Sequence, residues 1–258
     1  MQSNIFSGLF VGRNLVTLKQ VDSTNTFLKN LLSNSTPAPE GTVIMAEEQF
    51  AGRGQRQNTW HAQPGKNITA SILLNPVFLN IHNQFDLNRA VSVGIQRALK
   101  PVLGDKLKVK WPNDIYYDDY KVGGILIENI LFSNTIKHSI VGVGLNVNQD
   151  DFPADVTNAS SLKQILHTDY DLKALLSDLC GGIEAAYLEL KAGREQELRN
   201  EYAGYLYGLN EKRQFKSNNY IFDATITGVT PNGLLVLQNE NEELTFDLKE
   251  IEFLNSTT

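Results

Sequence analysis

Four short segments carry residues that a fold has little reason to gather unless they act on something. They are Glu47-Glu48-Gln49-Phe50-Ala51-Gly52-Arg53-Gly54-Gln55-Arg56, Lys110-Trp111-Pro112-Asn113-Asp114, Lys121-Val122-Gly123-Gly124 and Gly142-Val143-Gly144-Leu145-Asn146-Val147-Asn148. In the first, glycines flanking an arginine let backbone amides approach an anion, and Arg53 and Arg56 offer fixed-fork donors for phosphate or carboxylate oxygens. A polar loop with solvated arginines is the plainer reading of the same residues. The second segment places a cation, a large ring, a rigid turn-former and two acceptor side chains at a strand end, where ligand sites collect. Its plainer reading is a self-capped turn with Trp111 in the core. Lys121, ahead of two glycines, stands at the mouth of a buried strand, where an ammonium stabilises charge developing on an oxygen; otherwise it is a surface lysine beside a turn. Gly142-Val143-Gly144 lacks the third glycine of a dinucleotide fingerprint and continues as a strand, so a Rossmann site is rejected.

Other chemistries find no support. There is no HExxH, GxSxG or kinase signature, and His61, His82, His138 and His167 are too scattered to propose a metal site. Cys180 falls within an apolar-periodic helix and reads as a small buried hydrophobe.

The elements that must hold these segments follow from periodicity. Asp22-Ser23-Thr24 offers N-cap side chains to a helix whose apolar face is Phe27, Leu28, Leu31 and Leu32, and Pro37, Pro39 and Gly41 end it. Residues 42–46 read as a strand, 51–66 as a long loop, 68–74 as a strand and 85–99 as a helix. Strands are predicted over 107–111, 115–117, 124–130 and 138–147, the run 124–130 being apolar enough for a buried central strand. Leucines at three- and four-residue intervals over 172–190 predict a helix, followed by a second over 195–206. After Gly208 the period changes to two, and a turn at Pro231-Asn232-Gly233 joins strands of a small β meander that reads as a barrel.

The whole chain has 258 residues, 23 basic and 29 acidic, for a net charge of −6. The acidic balance and the lack of a dense basic block argue against a protein held on DNA by phosphate neutralisation. A single cysteine excludes an intrachain disulfide framework and fits a reducing, cytoplasmic address. No stretch reaches the length of an apolar membrane span, and the first twenty residues lack signal-peptide character.

Taken in order with Asp22-Ser23-Thr24-Asn25 ahead of them, the motifs resemble those of the biotin protein ligases over about residues 15–255. The resemblance implies an α+β fold: a catalytic domain over residues 1–208, with a mixed β-sheet and helices related to class II aminoacyl-tRNA synthetases, then a small Src-homology-3-like β-barrel over 209–258. It implies that biotin's carboxylate attacks the α-phosphate of ATP, with Mg²⁺, giving biotinyl-5′-adenylate and pyrophosphate. A lysine of a biotin carboxyl carrier protein then takes the acyl group. By the same resemblance Arg53 and Lys121 are the catalytic cations. Ser23, Thr24, Asn25, Gln49, Gly52, Arg53, Gly54, Gln55, Lys121, Gly123 and Gly124 bind biotin. Arg53, Arg56, Trp60, Asn113, Lys121 and Asn146 bind the nucleotide, and Asp114 is a metal ligand.

The familiar loop of that family has Arg-Gly-Arg followed by Gly-Arg, whereas this one reads Arg53-Gly54-Gln55-Arg56-Gln57-Asn58, which implies weaker retention of the adenylate. Some members carry an N-terminal DNA-binding helix-turn-helix, and the twenty-two residues before Ser23 leave no room for one. Related readings are a lipoate or octanoate ligase or transferase of the same fold, and a non-catalytic biotin-binding module. Oligomeric state, monomer or homodimer, is not legible from the residues.

Overall fold

A computed structural model describes residues 8–33, 38–55, 58–154, 156 and 158–254. Pro37 and Arg56 lie outside the described residues. Among the described residues two sheets form. The larger is built from β1 (Leu15–Val21), β2 (Val43–Gln49), β3 (Ile68–Leu74), β4 (Leu107–Lys110), β5 (Asp114–Tyr117), β6 (Tyr120–Phe132) and β7 (Thr135–Leu145), in the order β1-β2-β3-β7-β6-β5-β4. Its β1–β2 pair is parallel and the others antiparallel, so the sheet is mixed.

Period-two alternation gives this sheet two unlike faces. On one, Ile72, Leu74, Val141 and Val143 join a large core with helices α2 (Gln84–Leu103) and α4 (Leu172–Lys191). On the other, Ile44, Leu73 and Ile140 meet Leu28 of α1 (Thr24–Leu31). Helices α2 and α4 approach through glycines: a Cβ on Gly94 would lie 2.6 Å from the Gly182 carbonyl oxygen, and one on Gly182 2.3 Å from that of Gly94. Short α3 (Leu162–Leu166) carries a capping box built by Ser161 and Gln164, and α5 (Glu195–Gly204) leads into the second sheet.

That second sheet is antiparallel, with β8 (Lys212–Ser217), β9 (Tyr220–Val229), β10 (Leu235–Gln238), β11 (Glu243–Phe246) and β12 (Glu252–Phe253) in the order β11-β10-β9-β8-β12. Arg89 of α2, a side chain only 2% exposed, fastens it to the helical layer that covers the first. Its guanidinium donates to the carbonyls of Thr230 at 2.5 Å and Pro231 at 2.9 Å while pairing with Asp86 at 2.7 Å. Burial lowers the Arg89 pKa, and the Asp86 carboxylate opposes that shift.

Several readings are corrected. The strand expected over 42–46 runs on through Glu47-Glu48-Gln49, because β1, which residue pattern alone did not reveal, pairs with it as far as Val21↔Gln49. The run 124–130 is not buried throughout. β5 has four residues and pairs with β6 only as far as Gly124, so residues 126–130 are half-buried. Ser23 occupies the N-cap position of α1, but its side chain caps none of the helix's N–H groups. Strands β8 and β12 and helix α3 were also not anticipated.

Candidate active site

The five motif regions converge on a cavity of about 240 Å³ on the α1 face of the larger sheet. Its floor is nearly bare backbone. Gly142 and Gly144 alternate with Val141 and Val143 along β7, so the strand shows hydrogens to the cavity and hydrophobes to the core. The missing side chains are required: a Cβ on Gly142 would fall 2.6 Å from Asn25 Oδ1, and one on Gly144 2.5 Å from the Trp60 ring. The glycines first compared with a nucleotide fingerprint are thus a floor on which an amide and an indole rest.

One wall is a hydrogen-bonded set at the start of α1. Gln49 Oε1 accepts from the Thr24 backbone N–H at 2.8 Å, with the Thr24 hydroxyl at 3.1 Å. The Ser71 hydroxyl, fully buried on β3, lies 2.7 Å from Thr24 Oγ1 and 2.6 Å from Asn25 Oδ1. Ser23, 4% exposed, faces the same space. Five buried or half-buried polar side chains with alternating donor and acceptor atoms suit a ligand bearing its own fixed pattern of N–H and C=O groups.

The opposite wall carries charge. Lys121 Nζ pairs with Asp114 Oδ1 at 2.7 Å, both about a third exposed. Asp114 and Gly124 face each other across β5 and β6, and Lys121 is anchored by its own backbone, donating to the Asn158 carbonyl at 2.6 Å and accepting from Ser160 N–H at 3.0 Å. The Trp111-Pro112-Asn113 turn is pinned on three sides. Trp111 Nε1 donates to the Gly233 carbonyl at 3.0 Å, the Pro112 carbonyl accepts from Asn88 at 2.8 Å and from the Tyr202 hydroxyl at 3.0 Å, and Asn113 Nδ2 donates to the Ile125 carbonyl. Neighbouring Lys110 is held over the rings of Tyr116 and Phe253, each 5.0 Å away, and burial lowers its pKa.

Over the cavity folds the arginine loop. Gly54 N–H donates to the Asn58 carbonyl at 2.7 Å and Trp60 N–H to the Gly52 carbonyl at 3.0 Å, making a narrow hairpin without regular strands. Arg53 lines the cavity while its Nη2 pairs with Glu128 at 2.9 Å. Gln55 and Gly54 face inward beside it. The Trp60 Nε1 atom is buried and has no partner among the described residues, an indole N–H left for something else.

Not every expected residue reaches the cavity. Gly52 is tucked beneath Trp60, where a Cβ would lie 2.5 Å from the Trp60 carbonyl oxygen, and Gly123 packs against the Gly144 carbonyl. Asn146 is 3% exposed and lies outside the lining; its Nδ2 donates to the Ser160 carbonyl at 3.1 Å and so ties residues 158–161 to the end of β7. Conversely, Ser71 and Glu128 escaped notice. A lone serine inside Ile68–Leu74 and a lone acid inside an apolar run were the available signals. The C-terminal region also contributes, through Leu248 in the turn between β11 and β12.

The model of the biotin/lipoate A/B protein ligase family matches residues 17–146, half of the chain and nearly all of the cavity's walls. This chain belongs to the biotin/lipoate A/B protein ligase family. It is accordingly a ligase. Among similar proteins, the bifunctional ligase/repressor BirA of Bacillus subtilis is 27% identical over 231 residues, 88% of this chain and 70% of that one. The biotin--[acetyl-CoA-carboxylase] ligase of Paracoccus denitrificans is 32% identical over 133 residues, 50% of this chain and 53% of that one. The structure of an Aquifex aeolicus biotin protein ligase in complex with biotin and ATP aligns with a TM-score of 0.79 at 27% identity, covering 95% of this chain and 100% of that one. The family's similarity spans the mixed sheet, and the structural likeness extends through the second sheet.

Proposed function

We propose that this ligase acts on biotin: it joins the biotin carboxylate to the α-phosphate of ATP, releasing pyrophosphate, and passes the acyl group to a lysine of a biotin carboxyl carrier protein. The observation that carries the reading is the cavity itself, with a neutral donor–acceptor set on one wall, Lys121 on the opposite wall and Arg53 on the loop above them. The ureido ring has N–H and C=O groups for Ser23, Thr24, Gln49 and Asn25. Its carboxylate then extends toward the cations, where two anions must meet. Lys121 and Arg53 offset their repulsion, and the loop over residues 52–59 keeps water from the adenylate. Trp60 and Asn113 belong to the nucleotide's side, with Arg56 on the same loop. We assign catalysis to residues 1–208 and a supporting role at the cavity edge to a Src-homology-3-like module over 209–258.

Mg²⁺ fits the donors present. Mg²⁺ commonly takes one or two carboxylates and completes its shell with phosphate oxygens and water, and Asp114 is a single carboxylate on the cavity wall. No cluster of three or more metal-ligating side chains occurs among the described residues, consistent with an ion that arrives on the nucleotide. When bound, it would reduce the charge on the phosphates.

Incubation with ATP, Mg²⁺, biotin and a carrier domain should add the mass of one biotinyl group to one carrier lysine. Pyrophosphate exchange should proceed with biotin. Exchange with lipoate or octanoate only would transfer the assignment to the related ligases, and binding without exchange would make the protein a non-catalytic module.

A further inference from the structure

Glu128 stands behind the cavity wall, outside the lining, yet it touches both halves of the site with one atom. Its Oε2 accepts from Arg53 Nη2 at 2.9 Å and from Asn25 Nδ2 at 2.7 Å. We propose that Glu128 is a positioning residue that sets both the direction of the arginine loop and the donor–acceptor polarity of the neutral wall; this deepens, and rests on, the biotin reading.

The first half of the inference follows from guanidinium geometry. Arg53 spends one nitrogen on Glu128 and is itself part of the cavity lining, so the carboxylate fixes the fork beside the cavity with its other donors left for an incoming anion. The pair is partly exposed, 43% for Arg53 and 27% for Glu128, and so contributes orientation more than stability. The second half follows from hydrogen-bond accounting. A carboxylate can only accept, so the Asn25 nitrogen faces Glu128 at 2.7 Å, with the Leu126 carbonyl as a longer second acceptor at 3.3 Å, and Asn25 Oδ1 faces Ser71. The Ser71 hydroxyl has one proton. Given to Asn25, it leaves the Thr24 hydroxyl to donate toward Ser71 or Gln49. The carboxylate, as the shorter of the two acceptors on Asn25 Nδ2, thereby favours which atoms of the wall present acceptors to a ligand.

The test uses the full chain with Glu128→Gln, which keeps the shape and an acceptor for Asn25 but removes the charge. In ligand-free protein, tryptic cleavage after Arg53 should accelerate about threefold or more while the melting temperature holds. Biotin affinity by calorimetry should fall about fivefold, and the loss should vanish when Glu128→Gln is combined with Arg53→Gln, because the charge acts through that arginine. Glu128→Ala should lose more than Glu128→Gln, since Asn25 Nδ2 is then held only by its longer bond to the Leu126 carbonyl at 3.3 Å. Additive losses in the double variant, or unchanged cleavage and affinity in Glu128→Gln, would overturn the proposal. Should the unaltered protein fail to bind biotin, the biotin reading falls, and the cleavage rate still decides the role of Glu128 in holding Arg53.

Discussion

Lys121 and Asp114 form the most consequential pair at the scale of single residues if the proposed reaction holds, because that reading puts the Lys121 cation where charge develops. Replacing Lys121 with alanine removes one preorganised donor, for which a loss of about 10²–10³ in adenylation rate is expected. The pair is a third exposed, so its removal should cost only about 0–1 kcal/mol of stability. Pyrophosphate exchange beside a circular dichroism spectrum separates the two effects, and near-normal exchange would retire Lys121 from catalysis. Cys180 makes a contrasting case. Burial pushes its thiol pKa up to about 12, so a thiol reagent at pH 8 should label the protein only after denaturation. Lys121, Arg53 and Thr24 were legible in the chain because charged, glycine-flanked or capping residue types seldom cluster by chance. Ser71 and Glu128 were not, since their partners lie 47 and 103 positions away from them.

Among elements, α2 and α4 were legible from apolar spacing, and the structure adds four residues to the C-terminal end of α2 and one to that of α4. What spacing could not show was how closely they cross. Gly182→Ala would drive a methyl against the Gly94 carbonyl, 2.3 Å away, and is expected to destabilise the fold by about 1–3 kcal/mol, read as a shifted urea midpoint. A midpoint unchanged within error would mean that the helices separate without cost. Strand β1 illustrates the opposite limit. Leu15–Val21 carries an irregular mixture of half-buried and exposed side chains, and its identity as a strand comes from pairing with β2. Edge strands and two-residue strands such as β12 have little pattern to offer.

For the whole molecule, the join between the two sheets is the feature that matters to the site. Arg89 bridges Asp86 to the 230–231 turn, Trp111 bonds to Gly233 in the same turn, and Leu248 reaches the cavity edge. Arg89→Met would strand a buried Asp86 with only Arg199 to answer it and would leave carbonyls without their donor. A loss of about 3–5 kcal/mol is expected, together with a change in Trp111 fluorescence, both measured by denaturant titration. A loss below 1 kcal/mol would mean that the sheets are held by apolar contact alone. None of the described helices is long and apolar enough to cross a membrane. From the sequence alone came the chemistry's ingredients, the order of the motifs, the long helices and the change to β structure after Gly208, because periodicity and residue type are local properties. The tertiary structure alone decided which wall each motif occupies, that Asn146 lies outside the cavity lining, and that Glu128 joins the arginine loop to the neutral wall. Such facts depend on strand register, and register is settled by partners far along the chain.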